Sequence, residues 1–553
     1  MWSTLLGHPS GLLDYLAGLI TQCDANACLG GLVALIEAVM IFAATLLLVR
    51  KTAVPHAGLV CLIPLGLWLV LQNVYDAPIH AISLKLLAAL WGAGLALAVG
   101  PFLVPAIPLI AFVLLWACGI IPGLVFLLTV AAFMLLFRRW AWLLVTGLTV
   151  AVALFSFSFL ARRSLFSELQ WSDARLPVSV SCAFYLCVPL ALFSLVYLRL
   201  RGAASPEGAA SDPPVPRLPI AVVLGVQAAF LLATGTALWL TFNARERAIV
   251  RVDVCARQGD WAGVLATARH IPNSPAATRL DVHRALFHSG GLGDTLFSVA
   301  QLKEQPLIPG LLAGSGAYLP ISELWLELGL VSAAQHYASE ALELRGPRPW
   351  ILRQLARICL LKDQPLASRV FLNRLKAFPS QRDWAERRLV AIDSGVAPPD
   401  EDLAPIRRLG LSSDLVSNNW AVPEFLHHLL QANRTNRMAF EFLIAHYLLS
   451  FQLEQFVVEL DHLDAFNDQH LPRHYEEALL LYLEDPRGPR VDLKRRSIRP
   501  ETLQRFARFK AILRQQGLKS AALEPALVPE FGDSLWFYYL FGHTSPPGAA
   551  HPS

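Results

Sequence analysis

Charge is scarce in the first half of this chain. Only 16% of the 553 residues are charged, against 55% hydrophobic. That balance lies outside the range of soluble proteins and points to a bilayer. Through residue 244 there are 11 Lys/Arg and 8 Asp/Glu, and the remainder holds 35 and 34. Neither half is strongly basic and the net charge is +4, which argues against nucleic acid as a partner. The eight cysteines form no C-x-x-C pair, so spacing excludes a zinc ribbon or a thioredoxin-like site. H-E-x-x-H, the phosphate-cradling G-x-x-x-x-G-K-[ST] and the G-x-S-x-G elbow are also missing. No metal and no cofactor is expected. The opening MWSTLLGHPSGLLDYLAGLITQ has no basic segment of the kind that starts a cleavable signal peptide.

Long apolar runs are abundant. A span needs about 20 mostly apolar residues, because a helix rises about 1.5 Å per residue through a hydrocarbon core of about 30 Å. Eight segments qualify: 30–49, 57–75, 79–99, 101–118, 120–137, 140–161, 178–198 and 218–242. Trp140, Trp142, Tyr197 and Trp239 flank them, where interfacial rings are favoured. Leu12, Leu13, Leu16, Leu19 and Ile20 share a helical face ahead of the first span, predicting an interfacial or re-entrant segment over 1–28. A transmembrane block then covers 29–201. The linker 202–217, GAASPEGAASDPPVP in its core, precedes a last transmembrane helix over 218–243. That final helix is expected to move with the soluble half that follows it. With the N-terminus outside, cytoplasmic loops hold Arg50, Lys51, Arg138, Arg139, Arg199, Arg201 and Arg217. Six arginines fall on the other side, so the positive-inside bias favours an extracytoplasmic second half by seven to six.

After residue 243 no membrane-length run recurs, and helical spacing dominates. Ser322–Leu344 breaks at Gly329 and then presents Ala333, Ala334, Ala338 and Ala341. Arg353–Pro379 repeats the scheme, with Ala333 and Ala367 34 positions apart. A bulky residue and a glycine in one helix, with small residues in the next, is the tetratricopeptide pattern. Further pairs centre on Gly259-Asp260-Trp261 and on Phe451-Gln452, and the proline-rich APPDEDLAP separates two sub-blocks. Such pairs gain stability by stacking into a solenoid whose concave face binds peptides or proteins. The fold class is therefore all-α: about eight transmembrane helices, then an α-solenoid over 244–542 and a disordered tail over 543–553.

The segments HPSGLLDYLAGLITQ, GDWAGVLATARHIPN, NRMAFEFLIAHYLLSFQLEQFVVELDHL, LPRHYEEALLLYL and SLWFYYLFG resemble a family of bacterial polytopic membrane proteins with a C-terminal tetratricopeptide-like domain. The resemblance covers nearly the whole chain. It implies this architecture and a bacterial inner-membrane location, and no activity, because none is assigned to the family. Relatives in that family carry an additional N-terminal span that this sequence does not show.

Ionisable groups inside spans are expensive and are functional candidates by default. Asp14, Glu37, Asp76 and His80 are the candidates for catalysis. Glu37 is expected to pair with Lys85, or Lys85 to reach towards Asp76. Gln72, Asn73, Asp76 and His80 form a polar group at one end of two spans, for a headgroup or a proton, or simply for helix-to-helix hydrogen bonding. Cys23 and Cys28 either stay as thiols or pair in an oxidising compartment. In the second half His462, Asp464, Asp468, His470, His474 and Glu477 cluster in sequence. Pro472 interrupts the His470/His474 spacing, so a loop and helix start fit better than a metal site. Asp400-Glu401-Asp402 sits in a proline-bounded turn, and Trp536–Phe541 reads as a terminal helix sealing the last apolar face. The leading expectation is a non-enzymatic scaffold in the lipid membrane whose repeats bind a protein partner in envelope processes. The alternative is a membrane glycan- or lipid-modifying enzyme with an accessory repeat domain, and a third is a transporter.

Overall fold

The computed structural model describes residues 11–25, 27–54, 57–73, 79–98, 110, 114, 120–136, 178–203, 219–269, 271, 274–303, 305–309, 316–395, 403–409, 422–484, 491–494 and 496–545. Asp76, the predicted span at 101–118 apart from residues 110 and 114, the predicted span at 140–161, linker residues 204–217, Asp400-Glu401-Asp402 and tail residues 546–553 lie outside them. The protein is all-helical. Among the described residues there is no strand, only a single antiparallel bridge between Leu302 and His543. Two compact units divide at Asn243 and Ala244.

The first unit begins with α1 (Gly11–Ile20) and a 3-10 turn (Thr21–Ala25). These lead into α2 (Ala27–Arg50), α3 (Leu62–Leu71), α4 (Ile79–Ala98), α5 (Ile120–Leu136), α6 (Val178–Ala203) and α7 (Ile220–Thr241). Stretches within α2, α4 and α7 are long and apolar enough to cross a membrane: Cys28–Arg50, Ile79–Leu97 and Ile220–Thr241. Shorter apolar helical stretches occupy Ala57–Leu71, Pro122–Leu136 and Ala183–Tyr197. Pro64 explains the first of these. It has no N–H to give the carbonyl four residues earlier, so residues 57–61 wind as a 3-10 turn and the α-helix starts at Leu62. At about 15 Å, α1 is too short to span, and it packs along α4 with Ala17 buried. Leu12 and Leu16 remain exposed, so its predicted apolar face is only partly used.

Ile41, Leu48, Trp68, Leu86, Phe126, Phe133, Phe184 and Leu192 build the core of this unit. α7 buries none of its residues and rests on α3. A methyl group at Gly66 would lie 2.6 Å from the Phe230 ring, so glycine permits that approach. Asn73 Nδ2 donates to Leu238 O (3.0 Å) and Thr241 Oγ1 (3.1 Å), tying the end of α3 to the end of α7.

The second unit is built of helix hairpins. α8 (Ala244–Gln258) and α9 (Trp261–Ala268) turn at Gly259, φ +74°, and the Asp260 carboxylate caps α9 by accepting from Gly263 N. α10 (Ala276–His288) and the short α11 (Leu292–Thr295) follow. α12 (Tyr318–Glu327) and α13 (Val331–Arg345) turn at Gly329, φ +91°, where a side chain would meet the Leu409 backbone at 2.9 Å. α14 (Pro349–Leu361) and α15 (Pro365–Leu375) turn at Asp363, and α16 (Pro379–Asp393) continues the array.

The 34-residue interval expected for Ala333 and Ala367 falls instead on the residues that follow them. Ala334 and Ser368, 34 apart, are fully buried, whereas Ala333 and Ala367 are half-buried. Ser322 Oγ donates to Ala334 O (2.7 Å) across the first hairpin, and Ser368 Oγ donates to Ala356 O (3.1 Å) across the second. Adding 34 to Ser322 and Ala334 gives Ala356 and Ser368. The same contact is made twice, with the hydroxyl moved from one helix to its partner.

α17 (Ala404–Leu409), α18 (Val422–Ala432), α19 (Arg437–Leu449), α20 (Leu453–Glu459), α21 (Arg473–Leu483), α22 (Pro500–Gln516), α23 (Leu523–Phe531) and α24 (Leu535–Phe541) complete the unit. They fold back on the earlier hairpins. Asn436 Nδ2 donates to Leu328 O (3.0 Å), Arg407 Nη2 to Leu360 O (3.0 Å), and the Trp325 and Phe425 rings meet edge to face. The chain end closes on the early part, with Thr544 N donating to Gln301 O (3.1 Å).

Candidate functional site

Among the described residues of the first unit, the densest charged constellation surrounds the start of α4. Trp68 Nε1 donates to Ser83 Oγ (2.9 Å), Ser83 Oγ to Ile79 O (3.0 Å), and the Tyr185 hydroxyl to Ile82 O (3.3 Å). These bonds fix the first turn of α4 and with it His80. The imidazole is held from both sides: Nδ1 lies 2.7 Å from Glu37 Oε1 and Nε2 lies 2.9 Å from Asp24 Oδ2. Glu37, in mid-α2, is only 4% exposed, and its second oxygen, Oε2, is buried without a hydrogen-bond partner among the described residues. The Asp24 side chain is 45% exposed. Gly30 lets the 3-10 turn fold back on α2, since a Cβ there would sit 3.0 Å from Asp24 Oδ1. One turn and a half along α4, Lys85 Nζ pairs with Asp14 Oδ1 at 2.8 Å.

Of the four sequence candidates, Glu37 and His80 are brought together, Asp14 lies beside them on Lys85, and Asp76 falls outside the described residues. The expected Glu37–Lys85 pair is replaced by Glu37–His80 and Lys85–Asp14. Helix geometry gives the reason: five residues rotate by about 140°, so His80 and Lys85 address different neighbours, α2 and α1. The predicted polar group of Gln72, Asn73 and His80 is likewise divided, because Asn73 turns to α7. Asp24 was missed as a site residue. It is 56 positions from His80, and the scarcity of charge around it was the available signal. Cys23 and Cys28 are not joined by a disulfide.

In the second unit no described group of three or more His, Cys, Asp or Glu is placed to hold a metal. His462 pairs with Glu459, Asp468 with Arg437, and Asp464 with Lys494 and Arg496. His474 and Glu477 are fully buried, with Nδ1 2.9 Å from Oε2. Glu477 is a structural hub. It accepts from Arg473 Nε (3.0 Å), Arg505 Nη1 (3.0 Å) and Leu535 N (2.8 Å), while its carbonyl accepts from Trp536 Nε1 (2.9 Å). Burial pushes this carboxyl up, but His474 and Arg473 outweigh burial and hold it below the usual range. A second buried hub is Arg284, which reaches Asp281, Glu323 and Glu327 at 2.7–2.9 Å beneath the Trp261 ring. Leu535, Trp536, Phe537 and Tyr538 are buried, so the terminal aromatic helix packs inward.

Together these features define an all-helical protein: one unit with membrane-length apolar helices around a charged cluster, and one unit of stacked helix hairpins. Residues 1–542 match the Family of unknown function (DUF6057), and the chain belongs to that family. No curated protein and no solved structure matches it.

Proposed function

We propose that this chain is a multi-pass protein of the bacterial inner membrane whose helical half is a scaffold for a protein partner in envelope processes. In this reading about eight spans anchor the chain. The second unit is a tetratricopeptide-like array, supported by the swapped serine contact at a 34-residue interval, and it stands on the extracytoplasmic side.

One observation carries the partner role. α14 is buried on every side except one stripe, formed by Pro349, Trp350, Arg353, Arg357 and Leu361. Guanidinium groups and indoles alternate across it and its neighbours. Arg257 and Arg353 lie over Trp350 at 5.9 and 5.7 Å, and Arg353 and Arg388 over Trp384 at 4.8 and 3.9 Å. Arg357 reaches Gln354 Oε1 at 3.3 Å, and no described carboxylate lies within ion-pair distance of it. Arg and Trp are the residue types that dominate the energetics of protein interfaces. The neighbouring acidic stripe on α12 is different, because Glu323 and Glu327 are committed to Arg284. The test is a photo-reactive amino acid at position 357 in the full chain in native membranes. A discrete adduct that is lost with R353E and absent from a probe at exposed Leu366 is expected. No adduct at 357, or equal adducts at both positions, contradicts the reading.

A second reading, a membrane glycan- or lipid-modifying enzyme with an accessory helical domain, is favoured by the Asp24–His80–Glu37 constellation and the unpartnered Glu37 Oε2. In that reading alanine at Glu37 or Asp14 abolishes the cellular phenotype at an unchanged membrane level. An unchanged phenotype rejects it.

A further inference from the structure

The geometry points to a proton relay through Asp24, His80 and Glu37, with the half-exposed Asp24 as its aqueous terminal and the buried Glu37 Oε2 as its inner terminal. It does not depend on the partner-binding role of the second unit. The contacts are in sequence: Asp24 Oδ2 to His80 Nε2 at 2.9 Å, and His80 Nδ1 to Glu37 Oε1 at 2.7 Å. An imidazole can accept at one nitrogen while donating at the other.

Charge supplies the reason for a proton to be there. Lys85 and Asp14 neutralise one another. Two carboxylates, Asp24 and Glu37, then share one imidazole, so even an imidazolium leaves the trio one positive charge short. One further proton on the trio would supply the missing positive charge. Among the described residues, the other elements packed against α2 and α4 do not supply the missing charge. α1 contributes Asp14 and Tyr15, the 3-10 turns Cys23 and Cys61, α2 itself Cys28, and α6 Tyr185, whose hydroxyl is spent on Ile82 O. α3 and α5 contain no ionisable side chain. Arg50 stands thirteen residues beyond Glu37 at the far end of α2.

The step balances without any further reactant. Asp24, protonated from water, gives its proton to His80 Nε2. The N–H bond at Nδ1 breaks and its proton moves to Glu37 Oε1, while the ring changes tautomer. Asp24 is left as carboxylate, the ring is neutral again and Glu37 is a neutral acid. The proton rests on Oε1, and rotation of the carboxyl about its Cγ–Cδ bond carries it to the inward position of Oε2. The reverse transfer resets the ring.

Infrared spectroscopy of the full chain in nanodiscs of phosphatidylethanolamine and phosphatidylglycerol, stepped from alkaline to acidic pH, tests the relay. The C=O band of a buried carboxylic acid is expected to grow on acidification. It is expected to shift when the protein carries ¹³C-carboxyl glutamate, a readout that needs no substitution, and to vanish in E37Q. In D24N the band is expected to reach its usual amplitude at least tenfold more slowly after a pH jump. A band insensitive to labelled glutamate, a band that survives E37Q, or wild-type kinetics in D24N overturns the relay.

Discussion

His80 Nδ1 and Glu37 Oε1 stand 2.7 Å apart, joining the first turn of α4 to the middle of α2. The pair is nearly closed to solvent, and the imidazole is the only hydrogen-bond partner of the Glu37 carboxylate among the described residues. Removing one member of a buried pair is far more damaging than replacing both. His80→Ala is therefore expected to destabilise the full chain in detergent by about 3–5 kcal/mol. The double substitution His80→Ala with Glu37→Gln is expected to recover most of that loss in thermal unfolding. A His80→Ala variant as stable as the unaltered chain would show that the contact is dispensable.

Glu477 is expected to behave as the keystone of the second unit. Its carboxylate joins α21, α22 and the start of α24, through Arg473, Arg505 and Leu535 N. Glu477→Gln keeps the shape but leaves two guanidinium groups poorly matched. A loss of about 3–5 kcal/mol follows from breaking a buried charge network at one member. Denaturant unfolding monitored by tryptophan fluorescence checks this, since Trp536 bonds to the Glu477 carbonyl.

Acid is expected to weaken the second unit through His283. Burial is the main cause that pushes its imidazole down from 6.5 to about 4, and a contact with Gln301 only partly offsets it. The unfolded chain then binds the extra proton first. The stabilisation is full above pH 6.5 and is lost as the pH falls towards 4. It amounts to about 3 kcal/mol. Unfolding free energy measured against pH is expected to fall across that window, and His283→Asn to flatten the slope. An unchanged slope would remove His283 from the acid response.

Much of the helical order was legible because its signals are local. Gly259, Gly329 and the Phe451-Gln452 break each mark an observed hairpin turn, and small buried residues at a 34-residue interval mark the hairpin contacts. The alanine count alone placed the register one residue early, because the buried positions are defined by which face meets the partner helix. Local pattern carries nothing about the fold-back. It rests on pairs such as Asn436 with Leu328 and Gln301 with Thr544, which are 108 and 243 positions apart. The candidate site divides in the same way. The cost of charge in an apolar helix singled out Glu37 and His80, whereas complementary charge suggested Lys85 as the partner of Glu37. Rotation along α4 decides otherwise and brings in Asp24.

The central claim is that a membrane block displays the helical half outside the cytoplasm, where its Arg and Trp stripe meets a partner. Its most direct test is Arg357→Cys in a full chain whose Cys23, Cys28, Cys118 and Cys182 are replaced by serine, labelled with a membrane-impermeant maleimide; the native Cys255 and Cys359 are buried. Labelling at position 357 in intact spheroplasts, with no increase on lysis, is the expected result. Labelling that requires lysis would place the domain in the cytoplasm and contradict the claim.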